Sequence, residues 1–92
     1  MLGIKYIEVY AWATCKFCAS AVTFLKHNGI EFSLTLLDNS DSKRHEMIKE
    51  TGWMTMPIII EHKLDGSSNL IGGYTDMVEH FEKEYSIGLG EE

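Results

Sequence analysis

The sequence lacks the features that mark several large classes of protein. No apolar run approaches the roughly 18 residues of a membrane-spanning helix, and the longest, Met56 to Ile60, suits a buried strand. The first residues contain no basic segment followed by an apolar one, so no secretory signal is expected and the cytoplasm is the expected location. Repeats, linkers and low-complexity segments are also absent from the sequence.

Basic residues are scarce as well. Lysine and arginine total 8 against 14 aspartates and glutamates, so the formal net charge is −6. Nucleic acids and anionic membranes bind basic surfaces, so neither is expected as a partner. Hydrophobic residues make up 45% and charged residues 24%, as in folded proteins. The length of 92 residues predicts one domain over 1–92, with 86–92 as a frayed tail, and we expect a monomer.

The spacing of apolar and turn-forming residues predicts seven elements in the order β-α-β-α-β-β-α. Helices between the first three strands imply some parallel pairing and helices on both faces of the sheet, and a hairpin adds antiparallel strands. The sequence therefore predicts an α/β fold with a four-stranded mixed sheet. The predicted elements are a strand over 4–10, a helix from about 15 to 28, a strand over 30–37, a polar helix to about 51, a strand opened by Pro57, a hairpin turn over 64–68, a strand over 69–71 and a last helix N-capped by Thr75.

The two cysteines stand in Cys15-Lys16-Phe17-Cys18, where the first strand leads into the first helix. Unpaired N–H groups at a helix start stabilise an anion, and Lys16 adds a positive charge, so both favour a reactive Cys15 thiolate. Cys18 lies on the apolar stripe of the predicted helix and should be more buried. The arrangement predicts Cys15 as the nucleophile and Cys18 as the residue that closes a disulfide behind it.

A C-x-x-C pair has two other interpretations, half of a zinc site or a pair of small apolar residues. A structural zinc site takes four ligands, and the sequence has no third cysteine. The histidines at 27, 45, 62 and 80 show no ligand-pair spacing and are expected at the solvated surface, so no metal is expected. Cys18 alone could be an apolar core residue, whereas Cys15 sits at a turn that suits this role poorly.

Two further motifs extend the pattern. Thr55-Met56-Pro57 precedes the third strand, and Gly72-Gly73-Tyr74-Thr75-Asp76 precedes the last helix. With the C-x-x-C pair, in this order and at these element boundaries, they make the chain from Ile4 to Tyr85 resemble the glutaredoxin family. The resemblance implies the thioredoxin-like fold, a three-layer α/β/α sandwich.

The same resemblance implies a glutathione site beside the cysteines. The Met56-Pro57 bond would be cis, and the Met56 backbone would pair with the cysteinyl part of glutathione as with an added strand. Helix-start amides at Thr75 and Asp76 would bind the γ-glutamyl carboxylate, and the Asp76 carboxylate would bind its ammonium. Taken singly, Pro57 could be trans, Asp76 a simple helix-start charge and the glycine pair a plain turn. The implied catalytic residues are Cys15 and Cys18, and the implied glutathione-binding residues are Lys16, Phe17, Arg44, Thr55, Met56, Pro57, Gly73, Tyr74, Thr75 and Asp76.

The chain departs from the family pattern at two places. Lys16 stands where the family commonly has proline, so the family's redox potential does not carry over. The loop Ala11-Trp12-Ala13-Thr14 lacks the basic residue that many members carry there. The glycyl carboxylate of glutathione then needs another cation, for which Arg44 is preferred over Lys16 and Lys49. Trp12 fits the rim of the site and the edge of the core equally well.

The activity implied by the resemblance is glutathione-dependent reduction of protein disulfides and protein–glutathione mixed disulfides. Glutathione would be the reducing co-substrate, and ribonucleotide reductase is a family-level candidate among protein substrates. Two alternatives stay open. One is a thioredoxin-like electron donor to ribonucleotide reductase that a flavoprotein reductase recharges. The other is a non-catalytic dimer holding a [2Fe–2S] cluster between two Cys15 thiolates and two glutathione thiolates.

Overall fold

Seven elements follow one another in the predicted order. The computed structural model describes residues 3–37, 41–52 and 56–86. The predicted order and the four-stranded mixed sheet are confirmed. The elements are β1 (Ile4–Ala11), α1 (Lys16–His27), β2 (Phe32–Leu36), α2 (Asp41–Thr51), β3 (Ile58–Lys63), β4 (Ser68–Gly72) and α3 (Tyr74–Tyr85).

The sheet has the strand order β2-β1-β3-β4, with β1 and β3 in its centre. β1 runs parallel to β2, as expected of strands joined through a helix, and antiparallel to β3. The hairpin pairs β3 antiparallel to β4. Because Tyr10 near the end of β1 pairs with Ile58 at the start of β3, the cysteine loop and Pro57 meet at one end of the two central strands.

The strands divide their apolar side chains between two helical layers. Val9 and Ile59 belong to the cluster that contains the buried residues of α1 and α3. Ile58 belongs to a separate cluster with Leu37 and Met47 of α2. Neighbouring residues on a strand face opposite sides, so α1 and α3 cover one face and α2 the other. The predicted three-layer arrangement is confirmed.

The start of α3 differs from the prediction. The helix begins at Tyr74 with Gly73 as its N-cap, so the prediction of Thr75 as N-cap was wrong. The Gly73 N–H donates to Oδ2 of Asp76 at 3.1 Å. This carboxylate, three residues beyond the cap, supplies the capping bond from inside the helix, so no hydroxyl is needed at position 75.

Two of the four histidines are only partly exposed and pair with carboxylates, whereas the prediction placed all four at the solvated surface. His62 on β3 is partly buried, stacks on Tyr6 with ring centroids 4.5 Å apart, and places Nε2 2.8 Å from Glu8 Oε1. His80 on α3 is partly buried and places Nε2 3.2 Å from Glu61 Oε2. Both carboxylates are distant in sequence, so spacing along the chain gave no sign of these pairs.

Candidate active site

Cys15 is the N-cap residue of α1. Its backbone is extended, with φ −89° and ψ 121°, and its N–H donates to the Trp12 carbonyl at 3.3 Å, which closes the loop after β1. Its Sγ accepts a hydrogen bond from the Cys18 N–H at 3.1 Å. The sulfur thus takes the place that a serine or aspartate oxygen has at other helix starts, beside N–H groups and the positive end of the helix dipole.

The two thiols differ in exposure. Cys15 is partly exposed, whereas Cys18 is 3% exposed and belongs to the core cluster of α1 and α3. Both are free thiols in this structure. Cys18 is therefore more buried than Cys15, as predicted, and a disulfide partner coming from solvent reaches Cys15 first.

The segment before β3 lies against Cys15. The Met56-Pro57 peptide bond is cis, as predicted, and Pro57 is buried. The carbonyl oxygen of Met56 is 3.9 Å from Cys15 Sγ. Thr55, the first residue of this motif, lies outside the described residues. The backbone at Met56 is therefore next to the reactive sulfur.

The start of α3 offers unpaired amides. The first intrahelical bond runs from the Met77 N–H to the Gly73 carbonyl at 3.0 Å, so the amides of Tyr74, Thr75 and Asp76 precede it. These are the N–H groups that a helix start leaves without an internal acceptor, and a carboxylate is a suitable partner. Asp76 is exposed and uses Oδ2 for the Gly73 N–H.

An aromatic pair connects the starts of α1 and α3. The rings of Phe17 and Tyr74 stack with centroids 6.3 Å apart and an interplanar angle of 27°. Phe17 is exposed, whereas Phe24 further along α1 is buried. Lys16, which is exposed, and Tyr74 line one end of a surface groove of 460 Å³ that follows α1.

The predicted cations for the glycyl carboxylate lie on different layers. Lys16 is at the start of α1, next to Cys15, whereas Arg44 and Lys49 are on α2. Arg44 is partly buried and lies three residues before Met47 on α2. Met47 belongs to the buried cluster against which Met56 packs. Lys49 is exposed. Arg44 therefore shares a helix face with the residue that links α2 to the Met56 segment.

Trp12 lies at the surface. It is 41% exposed and lines an apolar groove beside α1, which favours a position at the rim over one at the edge of the core. Trp53 and Met54, which precede the Thr55-Met56-Pro57 motif in the sequence, lie outside the described residues.

Two glutamates outside this site form hydrogen bonds that the sequence did not predict. Glu61 is fully buried on β3, and its Oε2 accepts from the Tyr85 hydroxyl at 2.6 Å. Burial and this hydrogen bond raise the pKa of Tyr85. Glu8 on β1 accepts from Tyr10 and from His62. The one sequence signal for Glu61 is its place two residues after Ile59, on the same buried face of an apolar strand.

The described residues form neither a metal-binding cluster nor a membrane-spanning helix. Within 3–37, 41–52 and 56–86, no group of three or more histidine, cysteine, aspartate or glutamate side chains is placed to hold a metal ion. None of the helices in those ranges is long and apolar enough to cross a bilayer.

Sequence comparison identifies the family of this chain. The family model described as glutaredoxin matches residues 7–63. The sequence is 35% identical to glutaredoxin 3 of Escherichia coli K12 over 71 residues, which cover 77% of this chain and 80% of that protein.

Solved structures agree in fold. The dithiolic glutaredoxin 2-C-Grx1 of Trypanosoma brucei brucei matches with a TM-score of 0.66 and 27% identity over 94% of this chain and 84% of that one. A buckwheat glutaredoxin, solved as a complex with glutathione, matches with a TM-score of 0.69 and 19% identity over 88% of this chain and 71% of that one. With its C-x-x-C pair at the start of α1, this chain is a thioredoxin-fold thiol–disulfide oxidoreductase and belongs to the glutaredoxin family.

Proposed function

We propose that this chain uses glutathione to reduce protein disulfides and protein–glutathione mixed disulfides, with Cys15 as the attacking thiol and Cys18 as the resolving one. One observation carries the proposal. The partly exposed Cys15 sulfur stands at the start of α1, bonded to the Cys18 N–H at 3.1 Å and 3.9 Å from the Met56 carbonyl. The reactive atom therefore lies beside backbone that can bind a peptide.

The proposed reaction on a glutathionylated protein has two exchanges. The Cys15 thiolate attacks the glutathione sulfur, a new sulfur–sulfur bond forms, and the protein leaves as a thiolate that takes up a proton. A second glutathione, as thiolate, then attacks the glutathione sulfur of this mixed disulfide. Oxidised glutathione leaves and the Cys15 thiolate is restored, so one free glutathione thiol is consumed for each protein thiol released.

A protein disulfide takes the dithiol route. Cys15 attacks one sulfur and forms a mixed disulfide with the protein, and the Cys18 thiolate then displaces the protein. The resulting Cys15–Cys18 disulfide is reduced by two glutathiones. The position of Cys18 three residues along α1, with its N–H already bonded to Cys15 Sγ, supports this second step.

The surroundings of Cys15 support glutathione as the reductant. Glutathione is a tripeptide with a carboxylate at each end and an ammonium at one. The amides at the start of α3 suit the γ-glutamyl carboxylate, and Oδ1 of Asp76 suits the ammonium, since Oδ2 already accepts from Gly73. The Met56 backbone suits the central cysteinyl residue. The buckwheat relative was solved with glutathione, and we extend that ligand to this chain.

The proposal also assigns the glycyl carboxylate, the rest of the pocket and the substrates. Arg44 serves the glycyl carboxylate, and Lys16, Phe17, Pro57, Tyr74 and Thr55 complete the pocket. The substrates are disulfide-containing or glutathionylated proteins, with ribonucleotide reductase as one candidate. We further propose that residues 1–92 act as one domain, as a monomer and in the cytoplasm.

The test is a glutathione-coupled assay on Cys15→Ser and Cys18→Ser. The substrates are a glutathionylated peptide and a peptide disulfide. Cys15→Ser should lose both activities, since the nucleophile is gone. Cys18→Ser should keep turnover of the glutathionylated peptide, which needs one thiol, and lose reduction of the peptide disulfide.

Alkylation provides a control that does not depend on turnover. Iodoacetamide added to the reduced protein should modify Cys15 before Cys18, because Cys18 is 3% exposed. Mass spectrometry of the digested protein reads the order. Full activity of Cys15→Ser, or first modification at Cys18, would contradict the assigned roles.

A further inference from the structure

An apolar groove of 370 Å³ lies on the side of α1 that faces β2. Three of its lining side chains are large, apolar and exposed: Trp12 at 41%, Leu34 at 45% and Leu36 at 52%. Cys18 also lines the groove. Exposed large apolar side chains gathered around one groove mark an interaction site more often than single ones do.

The strand that borders this groove has an open edge. In the described part of the chain, β2 pairs with β1 alone. The Glu31 carbonyl accepts from the Ile7 N–H of β1, and the Leu37 N–H donates to the Ala11 carbonyl of β1, both at 2.9 Å. Strand alternation therefore turns the N–H and C=O groups of Phe32, Leu34 and Leu36 to the outer edge.

This edge has few of the features that prevent pairing with another chain. The β2 sequence Phe32–Leu36 holds no charged residue and no proline, and its register with β1 is regular. Proteins usually protect an exposed edge with a charge, a proline or a bulge. The other edge strand, β4, belongs to a pair with a register shift and carries one exposed leucine, Leu70.

The groove is continuous with the cysteine site. Leu36 at the end of β2 pairs with Ala11 at the end of β1, and Trp12 follows directly. The Trp12 carbonyl accepts the Cys15 N–H at 3.3 Å. The loop that holds Cys15 therefore borders the groove, so a polypeptide joined by a disulfide to Cys15 can extend along it to the end of β2.

From these contacts we infer that the outer edge of β2 binds the substrate polypeptide. An extended segment next to the target cysteine pairs with the backbone of Leu34 and Leu36 as a fifth strand. Its alternate apolar side chains fill the groove between Trp12 and α1. The substrates preferred on this basis have an apolar, β-branched segment beside the reactive cysteine. This inference rests on the proposed function and adds the substrate class.

The experiment compares peptide disulfides, which form a mixed disulfide with Cys15, that differ in the segment beside the cysteine. One carries alternating valine and serine, and its control carries serine throughout. We expect kcat/KM to be at least about tenfold higher for the valine peptide, equivalent to about 1.4 kcal/mol. Two further peptides carry N-methyl groups on either the odd-numbered or the even-numbered amides of the valine segment. Only one of these two sets of amides faces β2, so only one of the two methylated peptides should lose the preference.

Two leucines on opposite edges of the sheet give matched variants. Leu34→Lys should remove the preference for the valine peptide, whereas Leu70→Lys on β4 should keep it. Leu36→Lys is a second groove variant in case Leu34→Lys does not fold, which circular dichroism and the thermal midpoint would show. All variants should reduce the mixed disulfide of glutathione and 2-mercaptoethanol at the wild-type rate.

The outcomes separate the two proposals. If wild type does not reduce the small mixed disulfide, the proposed function fails. If it does so but treats the two peptides alike, or if neither N-methylated set matters, the docking inference is overturned. Sedimentation showing a dimer that Leu34→Lys dissociates would also overturn it, because the edge would then bind a second copy of the chain.

Discussion

Glu61 on β3 is fully buried against α3. Its Oε2 accepts from the Tyr85 hydroxyl at 2.6 Å and lies 3.2 Å from His80 Nε2, while Oε1 has no partner among the described residues. Burial and the bond to Glu61 raise the pKa of Tyr85, so its hydroxyl keeps the proton that it donates. A buried acceptor that loses its donor is costly. The Tyr85 hydroxyl therefore stabilises the fold.

Tyr85→Phe should lower the free energy of unfolding by about 1–3 kcal/mol, because the buried Glu61 carboxylate loses its shorter hydrogen bond and keeps only the one to His80. Urea denaturation followed by circular dichroism measures this loss. Glutathione-coupled activity of the folded variant should stay unchanged, since Tyr85 lies outside the proposed site.

Tyr10→Phe is the matched control. Tyr10 also donates to a glutamate, Glu8, but that side chain is 22% exposed, so water can replace the lost donor. The loss should stay below about 1 kcal/mol. Equal losses in the two variants would show that burial of the acceptor does not set the cost.

Local motifs made some residues predictable and distant contacts left others hidden. Cys15, Cys18 and Asp76 act at or near a helix start, so their neighbours along the chain determine their surroundings. Glu61 meets Tyr85 from another element, 24 residues away, and only the packing of α3 on the sheet brings them together. Composition cannot show which charged residue is buried in this way.

At the scale of elements, α3 combines a structural and a proposed binding role at its first turn. The Asp76 carboxylate caps the helix by accepting the Gly73 N–H at 3.1 Å. We propose that the same group binds the glutathione ammonium. The two roles of Asp76 need different properties of the side chain. Capping requires an acceptor oxygen, whereas binding the ammonium requires a negative charge.

Substitution at Asp76 should separate these roles. Asp76→Ala loses both, so it should lower the free energy of unfolding by about 0.5–2 kcal/mol, as loss of a cap does, and raise the KM for glutathione. Asp76→Asn keeps an acceptor oxygen, so most of the stability should remain while the KM rises by about tenfold, the loss of roughly 1.4 kcal/mol of binding. Denaturation and steady-state kinetics measure the two effects.

Glu79→Ala is the control for charge alone. Glu79 is exposed one turn further along α3, and its removal should leave the KM near the wild-type value. If Asp76→Asn also leaves the KM unchanged, Asp76 acts only as a cap and the ammonium binds elsewhere.

The order of elements could be predicted because each has its own signal. Alternation of apolar and polar residues indicated β2, and the glycines at 72 and 73 indicated the break before α3. The helices between strands indicated some parallel pairing. The direction of β1 against β3 was not specified, because a helix between two strands does not decide which strands become neighbours. The structure gives the sheet order β2-β1-β3-β4, in which β1 and β3 are central neighbours.

At the scale of the whole molecule, each face of the sheet carries a polar cluster. Glu61 lies on the face covered by α1 and α3 and accepts from Tyr85 of α3. Glu8 pairs with His62 on the opposite face, which α2 covers. Burial raises the pKa of Glu8, but hydrogen bonds from Tyr10 and His62, with the positive charges of His62 and Lys43, outweigh it. The net result is a pKa below the ordinary value of 4.5. Folding therefore depends on pH through Glu8.

A carboxyl whose pKa is lower in the folded than in the unfolded chain stabilises the fold when ionised. That contribution is fully present above the unfolded value of 4.5 and is lost as the pH falls through the folded pKa. Glu8→Gln should therefore be less stable than wild type near neutral pH, and its stability should fall less steeply on acidification below 4.5. Urea midpoints across this range test the slope, with exposed Glu31→Gln on the β2 side as the control that should follow wild type. Parallel curves for wild type and Glu8→Gln would contradict the linkage, and would assign acid sensitivity to other carboxylates of this acidic chain.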